Sequence, residues 1–272
     1  KSQGFEVDIV PVDEKGFVDV EALASLIRSD TTLVSVMAVN NEIGSIQPIQ
    51  AISELLADKP TISFHVDAVQ ALAKIPTEKY LTERVDFATF SSHKFHGVRG
   101  VGFVYIKSGK KITPLLTGGG QERDYRSTTE NVAGIAATAK ALRLAMEKLD
   151  IFTSKTGQMK SVIRQALLDY PDIFVFSDEK GFAPHILTFG IKGVRGEVIV
   201  HAFEDYDIFI STTSACSSKA GKPAGTLIAM GVDKDKAQSA VRLSLDLEND
   251  MSQVEQFLTK LKLIYNQTRK VR

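Results

Sequence analysis

Short runs of β-branched and aromatic residues alternate with stretches of helical period through the first half of the chain, and no other feature restricts its fold as much. The runs fall at 5–11, 32–39, 61–66, 86–90 and 102–106, with helical spacing at 20–28 and 49–57. Strands and helices in alternation predict an α/β fold with a mostly parallel sheet covered by helices on both faces. Such sheets bind ligands at the carboxyl ends of their strands. Asp67 and Lys94 both fall just past predicted strand ends. One long helix is expected over 131–149, and after it the order of elements changes. Strands are expected at 171–178, 184–190 and 241–246, and a final helix carries Met251, Val254, Phe257, Leu258, Leu261 and Tyr265 on one core-facing stripe. The expected organisation is a large domain over 1–149 and a smaller α+β domain over 150–272.

Composition removes several classes of function. The 272 residues hold 33 basic and 33 acidic side chains, so no net charge draws the chain to nucleic acid or to an anionic membrane. No apolar run approaches the length of a membrane span, and the opening "KSQGFEVDIV" lacks the apolar centre of a signal peptide. One cysteine, Cys216, cannot form an internal disulfide, which suits a reducing compartment. A cytoplasmic protein that contacts neither membrane nor nucleic acid directly is the expectation. The first residue is not methionine and a predicted strand begins at once, so further residues are expected upstream.

The stretch "FSSHKFHGVRGVG" sets Lys94 directly after an apolar run, with Gly97, Gly100 and Gly102 close behind. Such a lysine is either a surface charge or an amine held in a pocket for chemistry. Upstream, "FHVDAVQ" delivers Asp67 and then Gln70. A carboxylate at a strand end caps a helix or completes an ion pair, but it can also face the nitrogen of a bound heterocycle and keep it protonated and electron-accepting. His65, His93 and His96 match no zinc spacing, and one cysteine cannot complete a thiolate site, so no metal is expected. "TGGGQER" lacks the Gly-Lys-Ser/Thr ending of a phosphate loop. Cys216 lies in "STTSACSSKAGKPAG", among small polar residues rather than in an apolar run, which reads as a loop. A buried thiol is usually a small hydrophobe, whereas exposed loops more often carry chemistry. Arg242, in "SAVRLSLD", is either half of an ion pair or a planar fork for a substrate carboxylate.

Taken together, "VNNEIGSIQPI", "HVDAVQ", "VDFATFSSHKFHGVRGVGFVYI", "GGGQERDYRSTTEN", "SACSSK" and "VRLSLD" resemble, in that order, the cysteine desulfurases of the NifS and IscS type within the class-V aminotransferases. The resemblance covers nearly the whole chain and implies the type I fold of pyridoxal phosphate enzymes. It implies that Lys94 holds pyridoxal 5'-phosphate and moves the substrate's α-proton, that Asp67 pairs with the ring nitrogen and that Gln70 donates to the ring's phenolic oxygen. Ser91 and His93, from the turn before the lysine, are implied at the phosphate, with Thr129 reaching the phosphate of a partner subunit in a homodimer. Asn41 and Arg242 are implied beside the L-cysteine substrate, while Asn40 and Val39 read as structural. Cys216 is implied as the thiol that takes the sulfur as a persulfide, leaving alanine, and passes it to an acceptor protein for iron–sulfur clusters or thiolated nucleosides. A histidine that stacks on the ring and a phosphate-cradling loop at a helix amino terminus precede this point in the family and are not in the chain. Two alternatives stand beside this reading: another lyase or aminotransferase of the same fold, and a cofactor-free inactive fragment.

Overall fold

The computed structural model describes residues 4–213 and 225–270. In chain order its elements are α1 (Val20–Leu26), β1 (Leu33–Met37), α2 (Ile49–Leu55), β2 (Ser63–Asp67), β3 (Phe87–Ser91), β4 (Gly102–Ile106), α3 (Val132–Glu147), α4 (Leu149–Leu168), β5 (Ile173–Val175), β6 (Ile186–Ile191), α5 (Gly196–Glu204), β7 (Ser211–Thr212), α6 (Gly225–Ala229), α7 (Lys234–Gln238), β8 (Ala240–Ser244) and α8 (Met251–Lys270), with 3-10 turns at Thr77–Lys79 and Ser92–Phe95. Two compact units result: Asp30–Ala38 with Ile49–Leu149, and Lys1–Ser29 with Val39–Pro48 and Asp150–Arg272.

The first unit is built on the sheet β1-β2-β3-β4. β1, β2 and β3 run parallel, and β4 returns antiparallel beside β3. Side chains alternate along β2 and β3, so Phe64, Val66, Ala88 and Phe90 are buried while the intervening residues are half-buried. At the amino end of β3 the carboxylate of Asp86 is almost fully enclosed. It accepts from the Phe64 amide at 2.9 Å and from Arg84 Nη1 at 2.8 Å, with Lys110 Nζ 3.2 Å away. Burial by itself would raise the Asp86 carboxyl, but these donors outweigh it and hold the group below the usual carboxylate range. Arg84 also donates to the carbonyls of Leu56, Lys59 and Ile62 at 2.9, 3.1 and 2.6 Å, tying the stretch after α2 to the start of β3.

The second unit carries the antiparallel sheet β5-β6-β8-β7. Its inner strand β6 is buried along its whole length, so apolar residues fall on both of its faces and the one hydroxyl among them, that of Thr188, is satisfied by donating to Glu42 O at 2.6 Å. Val254, Phe257, Leu261 and Tyr265 of α8 are buried, and Phe257 stacks on Phe203 of α5 with ring centroids 4.9 Å apart. Met251, expected on the same stripe, is 37% exposed. Residues 5–11 do not form a strand. Phe5 and Ile9 are 64% and 86% exposed, and among the described residues the pairing near them is one bridge between Val12 and Val18. A period-2 pattern marks which side chains could share a face but does not supply a ladder partner.

Residues 1–29 and 39–48 group with 150–272 rather than with their neighbours in sequence. The reason is backbone pairing: Ile46 N donates to Gly181 O at 2.8 Å, Ala183 N to Gly44 O at 2.7 Å, and Ser45 bridges to Phe182. Lys160 of α4 fixes the far side of this seam. Its buried Nζ donates to Ala183 O at 2.8 Å and lies 5.6 Å from the Phe182 ring centroid. Burial, aided by the Arg164 charge and opposed by Asp178 and Glu179, lowers the Lys160 amine to about 8.

The folded pKa of Lys160 therefore lies below the unfolded one, so the unfolded chain binds more protons between about pH 8 and 10.5 and stability rises with pH across that window. Chemical denaturation at pH 8 and pH 10 should show the increase, on the order of 3 kcal/mol at most if fully expressed. Lys160→Met should flatten it. An unchanged slope in the variant would remove Lys160 as its source.

Candidate active site

The parallel register of β2 and β3 places two reactive groups at one edge of the first unit. Asp67, expected just beyond a strand, is the last residue of β2 and pairs in register with Thr89. Its Oδ1 accepts from the Val69 amide at 3.0 Å, which orients the carboxylate where the chain turns away. β3 continues past Thr89 to Ser91 and enters the 3-10 turn Ser92–Phe95, which carries His93 and Lys94. Ser91, expected in the turn, is thus the final strand residue. Asp67, Gln70, Ser91 and Lys94 are half-buried, while His93 is exposed. Thr129 is exposed in the stretch ahead of α3.

Packing against α3 holds the lysine turn in shape. Ser92 is buried; its Oγ bonds Thr138 Oγ1 at 2.9 Å, and Thr138 donates in turn to Gly134 O at 2.7 Å. His96, with φ 65°, closes the turn in the left-handed region, where a glycine is the usual occupant. The glycines that follow have separate purposes. Gly100 takes φ +79°, but Gly97 is needed for close approach: a Cβ there would sit 1.9 Å from Ser92 Oγ.

Behind Asp67, three strands are joined by a side-chain relay that the sequence did not announce. The ring of His65 bonds Ser35 Oγ on β1 at 2.7 Å and Thr89 Oγ1 on β3 at 3.2 Å. Burial pushes the His65 imidazole down, while the Asp67 charge pulls it back up. A neutral ring serves both hydroxyls, since one nitrogen accepts and the other donates.

The donor set fits a phosphorylated pyridine aldehyde. The carboxylate at the end of β2 could face a protonated ring nitrogen, the Lys94 amine on the turn after β3 could take the aldehyde carbon, and the Ser91 hydroxyl and His93 ring are the groups that could reach a phosphate.

In the second unit, Asn41 and Arg242 meet. Arg242 lies on β8 between Thr188 of β6 and Ser211 of β7. Its Nη1 donates to Asn41 O at 2.7 Å, which ties one end of the guanidinium to that carbonyl. Asn41 belongs to a tight turn that Asn40 builds: Asn40 Oδ1 accepts from the amides of Glu42 and Ile43 at 2.8 and 3.0 Å, and Gly44 N donates to Asn40 O at 2.9 Å. Cys216 lies outside the described residues.

Comparison with known proteins gives a consistent result. The model of the family described as aminotransferase class-V matches residues 1–257. The chain is 50% identical over 269 residues to a NifS/IcsS protein homolog of Lactobacillus delbrueckii subsp. bulgaricus, covering 98% of this chain and 70% of that one. It is 39% identical to the cysteine desulfurase IscS of Clostridium botulinum, over its full length and 68% of the relative. Among solved structures, a NifS-like protein superimposes with a TM-score of 0.88 at 37% identity, covering 97% of this chain and 69% of the other.

The close fit at Gly97 makes a defined prediction. Gly97→Ala should displace Ser92, break its link to Thr138 and lower unfolding stability by about 1–3 kcal/mol. Denaturant titration of the single variant and of Gly97→Ala with Ser92→Ala checks this, the second substitution recovering part of the loss. Wild-type stability in the single variant would contradict the packing described.

Proposed function

The chain belongs to the aminotransferase class-V family, and on that footing we infer that it is a cysteine desulfurase, which removes sulfur from L-cysteine and leaves L-alanine. One observation carries the reading beyond the family: the single cysteine, Cys216, follows by four positions the strand β7 whose Ser211 lies opposite Arg242. Transamination needs no nucleophilic thiol, whereas sulfur extraction does.

Pyridoxal 5'-phosphate is the cofactor of this reading, and when bound it supplies a sink for the electron pair on the substrate's carbon skeleton. Lys94 holds it and afterwards moves the α-proton, with the amine neutral when it acts as base. Asp67 keeps the ring nitrogen protonated, Gln70 donates to the phenolic oxygen, and Ser91 and His93 bind the phosphate. Arg242 and Asn41 receive the substrate carboxylate, for which the planar guanidinium offers two parallel donors. Thr129 is assigned to the cofactor phosphate of a second copy of the chain, which makes the working unit a homodimer.

The sulfur step balances on the chain's own thiol. The Cys216 thiolate attacks the substrate sulfur, and an S–S bond forms as the substrate's C–S bond breaks. The carbon side keeps the bonding pair, takes up one proton and leaves as alanine, while Cys216 is left as a persulfide. An unperturbed thiol titrates at about 8.5, so only a minority is ionised at neutral pH. Lys219 and Lys222 lie close in sequence and favour the thiolate if they approach it. The persulfide then passes to an acceptor protein that feeds iron–sulfur cluster or thio-nucleoside synthesis. No helix among the described residues is long and apolar enough to cross a membrane, and a cytoplasmic site of action completes the reading.

Two substitutions test it in the cofactor-loaded protein. Cys216→Ser should cut alanine release from L-cysteine by about 100-fold or more while leaving cofactor absorbance intact. Undiminished release would remove the persulfide from the mechanism. Arg242→Lys should raise KM for cysteine by about tenfold, because a point charge replaces a two-donor fork. An unchanged KM would move the carboxylate elsewhere.

A further inference from the structure

Asp67 is flanked in its sheet by two register partners, Met37 on β1 and Thr89 on β3. Register partners share a face of the sheet on strands about 5 Å apart, and of these two only Thr89 carries a hydroxyl. A hydroxyl beside a carboxylate, which can only accept, is a natural donor to it. Thr89 is engaged elsewhere. Its Oγ1 lies 3.2 Å from His65 Nε2, and among the described residues no hydrogen bond joins it to Asp67, whose Oδ1 accepts from the Val69 amide at 3.0 Å.

The direction of the His65 ring is set from both sides. His65 is in register with Ser35 on β1 and Phe87 on β3, so its contact with Thr89 runs diagonally forward, toward the row of Asp67. On the other side Ser35 Oγ lies 2.7 Å from Nδ1. Burial disfavours the charged ring, and either neutral tautomer keeps Nε2 on Thr89: as acceptor it takes the hydroxyl proton, and as donor it occupies a lone pair of the oxygen. Ser35, His65, Asp67 and Thr89 all belong to one compact unit.

We propose that Ser35, His65 and Thr89 are positioning residues for Asp67: the relay draws the Thr89 hydroxyl away from the carboxylate, so that Oδ2 is kept for the ring nitrogen of pyridoxal phosphate. This rests on the reading of Asp67 as the partner of that nitrogen. The consequence is a competition for one acceptor. A further donor on the carboxylate offsets part of its charge and takes up a lone pair, and both effects weaken its hold on a protonated ring nitrogen.

The test compares His65→Phe, His65→Gln and the pair His65→Phe with Thr89→Val in the full-length, cofactor-loaded protein. Two quantities are read: nitrogen NMR of isotope-labelled pyridoxal phosphate, and its dissociation constant. His65→Phe frees the Thr89 hydroxyl to turn onto Asp67, so the ring-nitrogen signal should move toward its unprotonated position and the dissociation constant should rise about fivefold. His65→Gln keeps a donor and an acceptor in that place and should stay within about twofold of wild type. Adding Thr89→Val removes the freed hydroxyl and should restore both readouts, whereas a merely structural link between strands would be weakened further. Wild-type values in His65→Phe, or no recovery in the pair, overturn the proposal. Should His65→Phe not fold, Ser35→Ala at its exposed position, alone and with Thr89→Val, decides by the same loss and recovery. A wild-type protein that binds no pyridoxal phosphate overturns the cofactor reading instead. In that case the carboxyl carbon resonance of Asp67 in the cofactor-free protein decides the relay: a shift in His65→Phe that returns in the pair supports it, and a resonance that is unchanged or does not return overturns it.

Discussion

Parallel pairing of β2 with β3 is the constraint on which the rest of the first unit depends. Because Asp67 is in register with Thr89, a carboxylate at the end of one strand and an amine on the turn after the next are delivered to the same edge of one sheet. A slip of one residue would turn each of these side chains to the opposite face. Two devices guard the register from its ends. The Arg84 and Asp86 cluster pins the start of β3 beside β2, and the Ser92 to Thr138 bond pins its finish against α3. His65 adds a cross-strand link midway, spanning all three parallel strands through two hydroxyls.

The second unit solves a different problem with a small turn. Residues 40–46 are held from below by the Gly181 to Ala183 seam that Lys160 anchors, and from the side by Thr188 and Ser177. That rigidity lets one carbonyl, Asn41 O, orient Arg242, while neighbouring side chains hold Thr226. A buried lysine is costly at neutral pH, and its place under this turn gives the cost a purpose: the carbonyl it satisfies, Ala183 O, belongs to the strand-like seam on which the turn rests.

Much of this was legible in the sequence where the signal is local. Phe64, Val66, Ala88 and Phe90 announce their strands through period-2 burial, and the lysine and aspartate motifs fix residue types at strand ends. The antiparallel direction of β4 did not emerge from the strand pattern, although the link between Ser91 and Gly102 is shorter than a parallel crossover requires. The failures share a cause. Residues 5–11 have strand periodicity without a strand partner, and the grouping of 39–48 with 150–272 depends on bonds to Gly181 and Ala183. The Glu42 and Thr226 contact joins residues 184 positions apart, which no window along the chain can reveal. The role of His65 was hidden as well, because only the folded register brings Ser35 and Thr89 to its two nitrogens.

In the proposed function, Lys94 is the amine that would hold pyridoxal phosphate at the edge where β2 ends in Asp67. Reducing the cofactor-loaded protein with borohydride, digesting it and mapping the modified peptide by mass spectrometry measures this directly. A single phosphopyridoxyl group on Lys94 is the predicted result. The same group on another lysine, with Lys94 unmodified, would contradict it.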